Sequence, residues 1–258
     1  MFDLQSLVNA SETFSPQRIL IYGVQGLGKT TFGATFEAPI LLRTEDGAGA
    51  INIPTFPQTA SCVEDVYQAI EALHGDHAFK TLVLDSLDWL EPLVHEYTCR
   101  TYNIKSIEEP GFGKGYIMAD DVWRTVLSGL DSLRHNKQMN IVCIAHSEIK
   151  THTPPDGEPF DRYQMRIQKR PFAMWQEWAG MVLFVNYRRN LVKQAGDKKR
   201  AEGTGERIIY TQERPAYMAK NRWGLPDEIF IGKDLTWQAF HQELTKATNG
   251  KYHNPIQQ

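Results

Sequence analysis

A chain of 258 residues, 41% of them hydrophobic, can hold one large α/β domain or two small ones, each with a packed core. Its 28 basic and 31 acidic residues leave a net charge of −3, which excludes a uniformly basic coat and confines any nucleic-acid contact to loops. Cys62, Cys99 and Cys143 are too few and too scattered for a disulfide framework or a zinc site, and no run approaches the ~18 apolar residues of a membrane span, so a soluble, cytoplasmic protein with reduced thiols and no membrane partner is expected.

Residues 1–15 form a polar N-terminal arm that either docks on a neighbour or frays, and Ser15-Pro16 marks entry into the first strand. The apolar run Ile19, Leu20, Ile21, Tyr22 then leads into residues 23–30, which fit G-x-x-x-x-G-K-[ST] and precede a helix-compatible segment. This strand–loop–helix is a nucleoside triphosphate site spanning Gly23, Val24, Gln25, Gly26, Leu27, Gly28, Lys29, Thr30 and Thr31. A polyphosphate needs fixed donors. The N–H groups of Gly26, Gly28 and Lys29 close around it, Lys29 reaches the β- and γ-phosphates of ATP, and the Thr30 hydroxyl ligates Mg²⁺.

Pro39 ends the first helix, and Ile40-Leu41-Leu42 reads as a second buried strand closed by Glu45 and Asp46, where open α/β sheets place ligands. Either acid faces the nucleotide, or both are surface charge. Ser61 and Glu64 form a capping box for a helix carrying Val63, Val66, Tyr67, Ile70 and Leu73 on one face. Residues 80–85 are an apolar strand ending in Asp85, a Walker B pattern in which the acid holds Mg²⁺ through water, opposite Thr30. Ser86 follows instead of a glutamate, so the water-activating carboxylate comes from elsewhere, with Glu45 best placed.

Residues 105–118 read as a Gly-rich loop with Phe112, Lys114 and Tyr116 interleaved, suited to stacking on unpaired bases or serving as a plain connector. A helix is expected from Asp120, with Val122, Trp123, Val126, Leu130 and Leu133 in the core. Residues 140–147 form another buried strand, whose terminal His146 is either a γ-phosphate sensor or a hydrogen-bonded structural histidine. Residues 149–171 read as a long loop carrying Arg162, Arg166, Lys169 and Arg170, a credible contact for single-stranded nucleic acid. Phe172, Trp175 and Trp178 follow at helical spacing as core.

Residues 180–187 and 207–211 read as a β-hairpin whose tip carries Arg188, Arg189, Lys193, Lys198, Lys199 and Arg200, either solvated or a second nucleic-acid contact. Residues 216–219 continue as a strand into Lys220-Asn221-Arg222-Trp223-Gly224-Leu225-Pro226, and residues 235–248 form a terminal amphipathic helix.

This order of parts resembles the RecA-like ATPase core over roughly residues 16–232 and, more narrowly, is similar to the phage RecA-like single-strand annealing proteins, a group of nucleotide-binding AAA-type proteins. The resemblance implies an α/β fold with a mostly parallel central sheet, helices on both faces and a C-terminal β-hairpin extension. Residues 1–15 are then an arm, 16–232 the ATPase core and 233–258 a C-terminal helix and tail. By the same resemblance Glu45 activates water, 111–116 and 151–171 are DNA-binding loops, and Lys220 and Arg222 reach across a subunit interface to a neighbour's γ-phosphate. His146 stands where RecA has a glutamine.

The expectation is an ATP- and Mg²⁺-dependent protein that binds single-stranded DNA, assembles as a homo-oligomer and promotes annealing or pairing in phage recombination. Its expected partners include a single-strand-binding protein, in the host cytoplasm if the chain is phage-encoded. The alternatives are a nucleotide-gated binding module with negligible turnover and a P-loop small-molecule kinase.

Overall fold

The computed structural model describes residues 16–47, 49, 51–193 and 199–248, with the backbone alone over 189–193 and 199–204. The elements run Arg18–Gly23 (β1), Lys29–Ala34 (α1), Pro39–Arg43 (β2), Val63–Ala72 (α2), Thr81–Asp85 (β3), Leu87–Tyr102 (α3) and Lys114–Asn136 (α4). Then come Asn140–His152 (β4), Phe160–Met165 (β5), Lys169–Trp178 (α5), Met181–Lys193 (β6), Lys199–Tyr210 (β7), Glu228–Gly232 (β8) and Trp237–Ala247 (α6).

The sheet order is β2-β3-β4-β1-β6-β7-β8, with β5 paired to the far half of β4. The strands from β2 to β6 in that order are parallel, and β7 and β8 add antiparallel. Parallel strands covered on both faces must be apolar on both, which is why Ile19–Tyr22, Leu82–Leu84 and Ile141–Ala145 are uninterrupted hydrophobic runs. Leu20, Tyr22, Leu82, Leu84, Ile141 and Cys143 pack under α2, α3, α4 and α5. The alternate residues Ile19, Ile21, Val83, Val142 and Ile144 pack under α1 and α6. Trp237 of α6 stacks on Phe36 at 4.1 Å, which ties the last helix to the end of α1. The fold is thus the α/β P-loop architecture expected, with the β6–β7 hairpin extending the sheet.

Local expectations need correction at several places. The α2 N-cap is Cys62, not Ser61, and its boxed acid is Asp65, whose Oδ2 accepts from Ser61 N at 2.8 Å. Helix α4 begins at Lys114, six residues before Asp120, so Lys114 and Tyr116 lie on a helix rather than a loop. The glycines hid this start. Gly111 and Gly113 adopt φ of 68° and 70°, and a Cβ on Gly115 would come 1.9 Å from the Ile107 carbonyl oxygen, so that inside the helix only glycine fits.

The span 149–171 is not a long loop. It holds the end of β4, an antiparallel return along β5 and the start of α5, with Pro154 and Pro155 in the connection. Its strands are polar on their solvated faces and give no apolar run to read. Residues 216–219 make isolated bridges instead of a strand, held by the Tyr22 hydroxyl, which donates to Met218 O at 2.5 Å and accepts from Met218 N at 3.0 Å. Helix α3 and strand β8 were not anticipated. The arm 1–15, the tail from 249 and the side chains of Arg189, Lys193, Lys198, Lys199 and Arg200 lie outside the described residues.

Candidate nucleotide site and its surroundings

The loop between β1 and α1 is shaped by its glycines. Gly26 and Gly28 have φ of 80° and 84°, and a Cβ on Gly23 would lie 2.4 Å from the Val185 carbonyl oxygen, so β1 can run flush against β6 only with glycine there. Buried Leu27 pins the loop to the core, leaving Val24 half-buried and Gln25 and Gly26 exposed above it. Lys29 is buried and its Nζ donates to the carbonyls of Gly23 at 3.0 Å and Val24 at 2.9 Å. Burial lowers its ammonium to about 8, against the pull of Asp85, Asp88 and Glu45.

Beside the loop lies a cavity of about 320 Å³ whose wall includes Gly28, Lys29, Thr30, Glu45, Asp85 and His146, within the size range of ligand pockets. Thr31 also lines it. The Thr30 hydroxyl donates to Asp85 Oδ2 at 2.6 Å. A hydroxyl that gives its proton to a carboxylate keeps its lone pairs for a hard cation, so this pair fits Mg²⁺, which takes few protein oxygens and completes its shell with water and phosphate. Burial pushes the Asp85 carboxyl up, opposed by the Thr30 hydrogen bond and the Lys29 charge. Glu45 is likewise raised by burial and opposed mainly by His146, whose Nδ1 is 4.0 Å from Glu45 Oε1.

The sequence reading missed Asp88. Its side chain is 1% exposed and accepts from His146 N at 2.9 Å, His146 Nδ1 at 3.0 Å and Arg166 Nη2 at 2.6 Å. Burial would raise this carboxyl, but the hydrogen bonds and charge of His146, with Arg166, outweigh it and hold Asp88 well below the usual carboxylate range. Arg166 N also donates to His146 O at 2.9 Å. One carboxylate therefore joins the cavity wall to the residue that follows β5. The signal available in the sequence was an acid one turn past Asp85, in the first turn of a helix.

The residues expected to touch nucleic acid fall into two kinds. Phe112 is wholly exposed at φ 50° between two left-handed glycines, and Lys114 is exposed at the start of α4. The Tyr116 hydroxyl donates to Glu108, and its ring lies edge-on to His95 at 5.5 Å. Arg162 pairs with Glu213, Arg166 with Asp88 and Arg170 with Asp120, whereas Lys169 is exposed with no ion pair among the described residues. Asp120 lies one turn after Tyr116 on α4, so its bond to Arg170 brings the two segments together along that helix. Lys169, Arg170 and Arg124 line one groove between α4 and α5.

Lys220 and Arg222 sit elsewhere. Lys220 bridges to Val182 near the amino end of β6, and its Nζ donates to Gln176 O at 2.5 Å, at the carboxyl end of α5. Arg222 is exposed, and its neighbour Trp223 donates Nε1–H to Gln17 Oε1 at 3.1 Å, just ahead of β1. From Gln17 to Gly23 is six residues of extended chain, about 20 Å. The pair lies at the opposite end of the parallel strands from the phosphate loop.

Among the described residues no helix is long and apolar enough to cross a membrane, and Cys62, Cys99 and Cys143 are free thiols. A family model described as an AAA domain matches residues 15–223. No curated protein matches the chain.

Proposed function

The chain belongs to the AAA-domain family and carries its ATPase-type nucleotide-binding domain, and on that premise we propose that it is a single-stranded-DNA-stimulated ATPase of the phage RecA-like annealing kind. The observation that carries this reading is the Asp88 carboxylate, shared by His146 in the cavity wall and by Arg166 at the foot of the β4–β5 hairpin. A phosphate backbone competing for Arg166 changes what holds His146, so DNA and nucleotide are coupled through one buried acid, and by linkage each alters the other's affinity.

In the reaction, backbone N–H groups of residues 26–29 and the Lys29 ammonium hold the phosphates of ATP. Glu45, its carboxyl raised by burial and lining the cavity beside Asp85 and His146, accepts the proton of the attacking water. Thr30 and Asp85 would hold Mg²⁺, which would supply positive charge to offset that of the phosphates. His146 lines the cavity where the γ-phosphate is expected and transmits its presence to Asp88. Lys220 and Arg222, at the far end of the strands from their own phosphate loop, suit contact with a neighbour's nucleotide in a homo-oligomer, a contribution of about 10³ to 10⁵ in rate where such a finger acts. Phe112 and the α4–α5 groove take the strand, and annealing or pairing follows from holding its bases unpaired. A single-strand-binding protein is the expected helper.

Steady-state ATP hydrolysis with and without single-stranded DNA, with Lys29→Ala as the blank, tests the proposal. Stimulation lost in that variant supports it. Hydrolysis indifferent to DNA returns the chain to a gated module or a small-molecule kinase.

A further inference from the structure

The cavity accounts for the phosphate end of a nucleotide and leaves its nucleoside end without partners. The sheet order indicates where that end goes. Asp85 and Glu45, the acids of the γ-phosphate end, follow β3 and β2 on one side of β1, and β6 and β7 lie on the other. A nucleotide laid across the loop with its γ-phosphate at those acids points its ribose and base toward the β6–β7 hairpin.

Two side chains of that hairpin reach the phosphate loop. Gly23 pairs with Val185, and Tyr187 is two residues further along β6, on the same face. Tyr187 is directly opposite Arg207 on β7, so the two side chains stand together. The Tyr187 hydroxyl donates to Gly26 O at 3.4 Å, and the residue is 37% exposed. A Cβ on Gly28 would lie 3.9 Å from both Cζ and Nη2 of Arg207, so the guanidinium rests against the loop.

The Nε atoms of Arg43, Arg162 and Arg207 are all buried with no hydrogen-bond partner, but Arg43 and Arg162 pair with Asp46 and Glu213, whereas no carboxylate among the described residues pairs with Arg207. Glu206, its neighbour in sequence, is paired with Arg188 at 3.1 Å. A buried guanidinium nitrogen left unpaired is costly, and a planar cation fixed beside a phosphate site is the group that recognises a phosphate oxygen.

We propose that Tyr187 and Arg207 form the nucleoside-end clamp of the nucleotide site, Arg207 binding the α-phosphate and Tyr187 stacking on the base. This inference rests on the nucleotide-binding part of the function proposed above and is independent of DNA.

The test is equilibrium binding of ATP, ADP and inorganic tripolyphosphate to the wild-type chain and to Arg207→Gln, Arg207→Lys and Tyr187→Ser, with circular dichroism confirming the fold of each. Arg207→Gln should weaken ATP and ADP equally, by roughly 10- to 100-fold, with partial recovery in Arg207→Lys. Tyr187→Ser should weaken ATP and ADP by roughly 5- to 100-fold and leave tripolyphosphate unchanged. A loss confined to ATP in Arg207→Gln would make Arg207 a γ-phosphate ligand and overturn the assignment, as would wild-type affinity in both Arg207→Gln and Tyr187→Ser. If the wild-type chain binds ATP no better than Lys29→Ala does, nucleotide binding itself fails and the clamp falls with it. Binding without DNA-stimulated hydrolysis would overturn only the DNA reading.

Discussion

The phosphate loop with the hairpin beside it and the segment from β5 into α5 both carry cations, and they differ in what holds their charge. Along β5 and the start of α5, Arg162, Arg166 and Arg170 are each matched by a carboxylate, and the buried acid Asp88 is held low. At the loop, Lys29 is held by backbone carbonyls and Arg207 by none of the described acids, while the nearby acids Asp85 and Glu45 are pushed up by burial. Unmatched charge in a buried site is costly in isolation and becomes favourable when a ligand of opposite charge enters. Matched charge is already satisfied, so a ligand gains from it only by displacing the internal partner. A count of Lys and Arg therefore overstates the second region and understates the first.

The largest expected effect breaks the first region. Lys29→Ala removes a buried ammonium aimed at the phosphates, and ATP affinity should fall on the order of 100-fold or more, read by equilibrium nucleotide binding. A tenfold loss or less would mean that Arg207 and the backbone carry most of the phosphate recognition. Glu45→Gln leaves shape and hydrogen bonding nearly intact but removes the base. Hydrolysis should drop about 10² to 10⁴-fold with ATP affinity retained, and an unchanged rate would move the base elsewhere.

Asp88→Asn tests the matched region through stability. The native carboxyl is held below its unfolded value, so its contribution is present above about pH 4 and is lost as the pH falls through the lower native value. Arg166 is half exposed, which discounts its share, and the variant should lose about 1–3 kcal/mol at pH 7. Urea unfolding at pH 7 and pH 3 should show the gap between wild type and variant narrowing with acid. A constant gap would mean that Asp88 contributes by packing alone.

What the sequence disclosed and what it hid follow the same division. Gly23, Glu45 and Asp85 were legible because each lies at or just past the carboxyl end of a buried strand whose apolar run is unmistakable, and His146 because it directly follows the apolar run of β4, although that strand continues to His152. Asp88 was hidden because it sits in the first turn of an amphipathic helix, where an acid is ordinary. Strand β5 was hidden because polar Asp161, Arg162 and Gln164 interrupt its apolar residues and only Met165 is fully buried, and the start of α4 because three of its signals are glycines used for backbone geometry. The ion pairs of Arg162, Arg166 and Arg170 span 50 to 78 residues of chain, and the Tyr187–Arg207 pairing depends on hairpin register. Neither is a property of any local window.

The smallest effect sharpens the comparison most, because it converts one kind of cation into the other. Asp120→Asn keeps the shape and an acceptor for Arg170 while removing the charge that neutralises it. If the groove of Lys169, Arg170 and Arg124 takes a phosphate backbone, single-stranded DNA should bind a few-fold more tightly and its log–log salt dependence should steepen by up to about one. Lys169→Ala should do the reverse, because Lys169 has no acid to displace and its loss removes a contact outright. Equal and opposite changes in slope would identify the groove as the strand's path and Asp120 as the group that restrains its affinity. Slopes indifferent to both substitutions would leave Arg170 as part of the packing between α4 and α5 and assign strand binding to Phe112 and the glycine-framed turn before α4.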